Sequence, residues 1–176
     1  MKNNALNTLE YSGTVTLSQN IGNKKHKIAQ YHNAGKYSLF SFLADCLVGD
    51  FDMAKVNRPS KIMLLHKHDD GSLESLSGYI HHTRLPEKVT NQSSPNTSTV
   101  RYSFQISRNL LDGIDITKLD HIGLYSDITS AEDYATELAA LVKLKDDLNS
   151  NQVSATSAIF LDWDLNISNK TEEVSR

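Results

Sequence analysis

The chain has 176 residues, the size of one ordinary domain and enough to bury a core without covalent staples. Lys and Arg number 18 against 21 Asp and Glu, so the net charge is −3, which argues against nucleic-acid binding through bulk charge. One cysteine, Cys46, excludes an intrachain disulfide, a Cys-based zinc site and a Cys-x-x-Cys redox motif, and no apolar run approaches the roughly 20 residues of a membrane span. Met1–Asn7 has no apolar stretch of the kind a signal peptide carries.

Along the chain, Tyr11, Gly13, Val15 and Leu17 alternate with Ser12, Thr14, Thr16 and Ser18, the period of two that turns one face of a strand inward. Asn20-Ile21-Gly22-Asn23 predicts a turn, with Lys25–Tyr31 returning as the hairpin partner. The period then changes. Leu39, Phe40, Leu43, Ala44 and Leu47 recur at three and four, Ser38 is placed to cap the start and Gly49 to end it, so Leu39–Val48 is read as the one good helix. Asn57-Arg58-Pro59 breaks the chain before a strand at Lys61–His68, and Asp69-Asp70-Gly71-Ser72 turns it into Leu73–Thr83.

Leu85–Ser98 carries Pro86, Pro95, Asn91 and Asn96 among Ser and Thr, and reads as a long exposed loop. Strands follow at Val100–Ile106 and His121–Ser126, with Ser107–Gly113 between them turn-like or helical. Ser130-Ala131-Glu132-Asp133 resembles a capping box, whereas Leu138–Leu144 fits a helical face and a strand equally. Ile159, Leu161, Trp163, Leu165 and Ile167 alternate with polar residues and predict a closing strand. Seven or eight strands with one helix near residues 39–48 point to a mostly β protein, an antiparallel β-sandwich or jelly-roll-like fold. Residues 11–167 form the single domain in this reading. Residues 1–10 are an N-terminal arm and 168–176 a loosely held C-terminal tail.

Histidine is the one chemistry-bearing residue in excess. His66-Lys67-His68 sets two imidazoles on one strand face, a spacing that resembles the metal motif of cupins. The likeness is incomplete: Glu74 follows after five intervening residues, Gly78 comes sooner than that pattern expects, and no second motif with Pro, Gly and His follows. On the predicted hairpin His68 faces Leu73, His66 faces Ser75 and His81 faces Ser60. His81 and His82 then lie about 20 Å from His66 and cannot complete a site. A solvated strand end is favoured over a metal site. Cys46 lies between Asp45 and Leu47 in the predicted helix and reads as a buried or half-buried small hydrophobe, not an activated thiolate. Asp162 and Asp164 share a strand face about 7 Å apart; a polar outer face is favoured over a carboxylate pair. Lys24-Lys25-His26-Lys27 reads as a solvated turn whose lysines also discourage edge pairing. No Gly-x-Ser-x-Gly elbow or phosphate loop occurs, and no catalytic, cofactor or metal residue is assigned. The sequons at Asn91, Asn96, Asn166 and Asn169 reflect composition.

Several stretches together resemble small structural proteins of tailed bacteriophages. They are Tyr11–Leu17, His32-Asn33-Ala34-Gly35, Leu39–Gly49 and Arg58-Pro59-Ser60-Lys61-Ile62, then Ile122-Gly123-Leu124-Tyr125-Ser126, Leu138-Ala139-Ala140-Leu141-Val142 and Leu161–Ile167. The resemblance covers most of the chain from Tyr11 to Ile167 through hydrophobic patterns with a few Gly and Asn. It implies a strand at Leu138–Leu144 and a non-enzymatic virion subunit in the tail, neck, fibre attachment or capsid surface. Such a subunit is made in the host cytoplasm and partners other virion proteins and copies of itself in a symmetric oligomer, with no nucleic acid, membrane or cofactor. The alternatives are a carbohydrate- or ligand-binding β-sandwich module, and a cupin-like metal enzyme using His66 and His68.

Overall fold

In the computed structural model the described residues are 5–35, 37–50, 52, 58–89, 97–126, 138–144 and 158–173. The capping box expected at Ser130–Asp133 and the centre of the expected loop, 90–96, lie outside them. The elements in chain order are β1 (Ala5–Ile21), β2 (Lys24–Gly35), α1 (Tyr37–Val48), β3 (Pro59–Lys67), β4 (Leu73–Ser75), β5 (Ile80–His81), β6 (Glu87–Val89), β7 (Thr97–Ile106), α2 (Arg108–Asp112), a 3₁₀ turn at Ile116–Lys118, β8 (His121–Ser126), β9 (Leu138–Lys143) and β10 (Ile159–Glu173).

Every strand pairing among the described residues is antiparallel, and the fold is β-sandwich-like, as the alternating sequence predicts. Hydrogen bonding runs β4-β3-β8-β9-β2-β1-β10-β7-β6, with β5 also on β3. Sheet A is β6-β7-β10-β1-β2 and sheet B is β2-β9-β8-β3-β4. Strand β2 joins them: up to Asn33 it pairs with β1, and at Ala34 and Gly35 with β9. A second seam closes the opposite side. Ile80 and His81 pair with β3, His82 bridges Phe104 on β7, and the Thr83 amide donates to Ser103 O at 2.8 Å.

Between the sheets lies one apolar core. Val15 and Leu17 from β1, Phe104 from β7 and Leu161 and Trp163 from β10 meet Ile62, Leu64, Ile122 and Leu124 from sheet B, all at most 1% exposed. Burying such side chains stabilises the fold by about 1.5–3 kcal/mol each. Sheet B has a second apolar layer on its other face, where Met63, Leu65, Tyr125 and Leu138 pack with Leu73, Tyr79 and Leu141. Lys61, only 4% exposed, belongs to the same layer and holds its ammonium 3.9 Å from the centre of the Tyr79 ring.

Local chemistry explains where elements begin and end. Gly22 takes a positive φ in the β1–β2 turn, and Ile28 is extra in the ladder between Leu17↔Ala29 and Ser18↔Lys27, a β-bulge. Helix α1 starts two residues before the predicted Leu39, so Ser38 falls inside it. It stops at Gly49 (φ 78°), and the Asp50 amide donates to Asp45 O at 2.9 Å, the bond that closes a Schellman end. Ser107 caps α2 by accepting from the Leu110 amide.

Three sequence expectations need correction. The return strand predicted over Leu73–Thr83 is two short strands, because Ser77 leaves the ladder to accept the Leu64 amide through its hydroxyl. The register of that hairpin differs by one: Leu73 faces Lys67, Glu74 faces His66, and His81 faces Lys61. The loop expected over Leu85–Ser98 contains β6, which pairs with β7 from Glu87↔Arg101 to Val89↔Thr99. Leu138–Lys143, left open between helix and strand, is a strand between β8 and the end of β2. In addition, strand pairing enters both segments read as arm and tail, since β1 and β10 run together from Ala5↔Glu173 to Gln19↔Ile159.

Candidate functional site

The histidines at the end of β3 sit in a chain of acids and imidazoles. His66 and His68 are on one face, as their spacing requires, with ring centroids 4.9 Å apart in an edge-on arrangement. His68 Nε2 lies 3.3 Å from Glu74 Oε2 across the β3–β4 hairpin. His66 Nδ1 lies 3.1 Å from Asp120 Oδ2, and His121 Nδ1 lies 2.7 Å from Asp120 Oδ1, which also accepts the Lys67 amide at 3.0 Å. Partial burial of Asp120 opposes its ionisation. The His121 and Lys67 hydrogen bonds and the nearby imidazole charges outweigh that and hold its carboxyl below the usual range. Asp120 joins this group from a position 54 residues beyond His66, because β8 lies beside β3. Asp120 was not singled out in the sequence, where its only mark is the adjacent His121 at the start of a predicted strand. His81 faces Lys61, five strand residues from His66, and takes no part. Among the described residues, no three His, Cys, Asp or Glu side chains are grouped to hold a metal ion. The two histidines therefore each meet a carboxylate instead of converging with a third ligand on a common centre.

Sheet A turns a polar face outward. Asp162 and Asp164 share it, and each has its own cation. Lys25 Nζ donates to Asp162 at 2.7 Å, reaching over β1, and Arg101 binds Asp164 through two bonds of 2.7 and 2.8 Å. Ser103 donates to Asp162 at 2.8 Å and is itself approached by Arg84, which also contacts Glu87. Thr99 donates to Asn166 at 2.7 Å. Asp162 is half-buried, which opposes ionisation, but bonds from Lys25 and Ser103 lower its pKa on balance. Of the basic run Lys24–Lys27, Lys25 thus serves this lattice and Lys27 donates to Gln30. The face is a set of internally matched polar pairs.

Helix α1 presents the contrasting surface. Leu39 is 2% exposed in the core and Phe42 packs on its margin, yet Phe40 is 53%, Leu47 88% and Val48 79% exposed. Phe40 and Ala44 are four residues apart, and Leu47 and Val48 lie three and four residues beyond Ala44, the spacing that lines one helix face; Phe40 packs edge-on against Tyr11 at 6.5 Å. Cys46 is exposed, not buried as its neighbours suggested. Only the first half of the helix lies on the core, so the leucines flanking Cys46 do not carry it inward. Of the aromatic side chains that a carbohydrate-binding alternative would present, Tyr102, Tyr125 and Trp163 are 3%, 0% and 0% exposed. No helix among the described residues is long and apolar enough to cross a membrane.

Comparison of the chain with models of protein families, with curated proteins and with solved structures gives no match.

Proposed function

We propose that this chain is a non-enzymatic structural subunit of a bacteriophage virion, acting through contacts with other virion proteins and with copies of itself. The single observation that carries the reading is the apolar face of α1. Phe40, Leu47 and Val48 expose large side chains along one helix face, beside outer surfaces whose charges are matched within the chain. Contiguous exposed apolar area of this kind serves protein contacts. The sequence resemblance to small structural proteins of tailed bacteriophages, from Tyr11 to Ile167, supplies the class of assembly, and the particle is then the protein's location.

The other two readings have less support. Sugar stacking needs exposed rings, and Tyr102, Phe104, Tyr125 and Trp163 lie in the apolar layers. A cupin-like centre needs His66 and His68 to converge with further ligands, and they are instead paired with Asp120 and Glu74.

The test is incorporation into particles. Wild-type chain is expected in purified virions by mass spectrometry, whereas Leu47→Asp/Val48→Asp is expected to fold with an unchanged unfolding midpoint and be left out of them. Absence of the wild-type chain from particles, or equal incorporation of the variant, overturns the proposal.

A further inference from the structure

The histidine pair at the end of β3 has no part in the α1 contact surface. His66 and His68 leave one face of the strand with ring centroids 4.9 Å apart. A divalent cation bonded to an imidazole nitrogen at about 2.0–2.1 Å lies about 3.2 Å from the ring centre. Two rings on one such ion, at an angle between a right angle and the tetrahedral one, therefore have centres about 4.5–5.2 Å apart. The observed spacing falls inside that interval. Turning an imidazole about its Cβ–Cγ bond, a soft torsion, aims its nitrogens while leaving the ring centre nearly in place. Both side chains are within reach of a hydrated ion, being 29% and 45% exposed.

We propose that His66 and His68 chelate one divalent cation of the nickel, copper or zinc class, with Asp120 as the positioning residue behind His66. Spacing in the sequence alone favours a solvated strand end; the carboxylate behind the first ring is what separates a ligand from a bystander. An ionised carboxylate only accepts, so in the 3.1 Å bond to Asp120 the proton sits on His66 Nδ1, and Nε2 keeps the lone pair that a metal needs. Asp120 is in turn fixed by the Lys67 amide and by His121. A carboxylate behind a ligating imidazole sets its tautomer and its direction. Glu74 Oε2, 3.3 Å from His68 Nε2, repeats the device for the second ring and leaves Nδ1 as that ring's ligand atom. The two carboxylates also place negative charge beside the ion. Imidazole donors select this class over magnesium and calcium, which take oxygen ligands. Among the described residues no third ligand joins the pair, so the remaining positions on the ion are open to water.

The experiment uses the full chain with Cys46→Ser, so that the exposed thiol does not compete for the ion. Isothermal titration with NiCl2 is expected to show one site per chain, and titration with MgCl2 no binding. In that background His66→Ala and His68→Ala, with unfolding midpoints close to the parent's, are each expected to abolish the site, whereas His81→Ala leaves it intact. Substoichiometric nickel is expected to broaden the ring NMR signals of His66 and His68 before those of His26, His32 and His81. Failure to bind nickel, binding retained in either of the two alanine variants, or broadening spread evenly over the histidines overturns the proposal. Asp120→Asn is expected to weaken binding about tenfold and to mix the His66 ring tautomers, read from the ring nitrogen shifts. Full affinity with a single Nδ1–H tautomer in that variant overturns the part given to Asp120. None of these outcomes bears on the α1 surface, which Leu47→Asp/Val48→Asp tests separately.

Discussion

Sheet A and sheet B share one core but solve different burial problems. In β10, Ile159, Leu161, Trp163 and Leu165 are buried while Phe160, Asp162 and Asp164 are half-exposed, so burial alternates strictly with the pleat. In β3 and β8 it does not alternate. Residues Pro59–Leu65 and His121–Ser126 are all buried, because a second apolar layer covers the outer face of sheet B. A sheet with one wet face needs polar residues at every second position, and sheet A supplies them as Thr, Ser, Asp and Arg linked across strands. A sheet covered on both sides has no use for them. Lys61, a charged residue buried inside sheet B, lies against an aromatic ring.

This contrast is exposed to direct attack, most severely by core truncation. Leu64→Ala and Leu65→Ala, neighbours pointing to opposite faces of β3, are each expected to cost about 2–5 kcal/mol. On β1, Val15→Ala is expected to be clearly destabilising, whereas Thr14→Ala and Thr16→Ala stay within about 0.5 kcal/mol. Urea unfolding followed through Trp163, the single tryptophan, measures all five, and a tolerant Leu65→Ala would remove the case for a second layer. A smaller effect is expected at Gly123, where an added Cβ would fall 2.5 Å from Tyr125 Cε2 and 2.9 Å from Leu138 Cδ1. Gly123→Ala is expected to cost about 1–3 kcal/mol by overpacking that layer, read from the same titration.

The smallest effect concerns pH at the edge of sheet B. The folded pKa of Asp120 lies below its unfolded value, so its contribution is complete above the ordinary carboxylate pKa of about 3.9. It is lost as pH falls through the folded value. Asp120→Asn is therefore expected to lower stability at neutral pH by at most about 1 kcal/mol, since the carboxylate is partly exposed. The difference from wild type should shrink toward strong acid, and a gap that persists there would point to lost packing instead of lost charge.

The same contrast decides what was legible in the sequence. The strands of sheet A declare themselves through Val15 and Leu17, Tyr102 and Phe104, and Leu161 and Trp163, because one wet face imposes the period of two. β9 is ambiguous as Leu138-Ala139-Ala140-Leu141-Val142 because burial on both faces erases that period. β6 escaped detection since Glu87-Lys88-Val89 is a short edge strand, held by backbone bonds to β7 with little apolar surface of its own. The pairing of Ala5–Leu9 with Asn169–Glu173 was hidden for a related reason: their sequence shows no apolar alternation for a pattern to report. At the histidine cluster, His66 and His68 are adjacent enough to be read together. Asp120 required knowing that β8 lies against β3, which periodicity does not encode.

Strand β10 has one more consequence, for the order of folding. It lies between β1 and β7, so the middle of sheet A comes from residues 159–173, paired with a strand that begins at residue 5. Sheet B up to β8 pairs β3 with β4, β5 and β8 over shorter separations and has its strands once residue 126 is made. Ladders that close long loops form slowly. During synthesis β1 and β2 must wait as a hairpin with an apolar face until β10 emerges, which makes β10 the clasp of the molecule and the interval before its arrival the time of greatest exposure to misassembly.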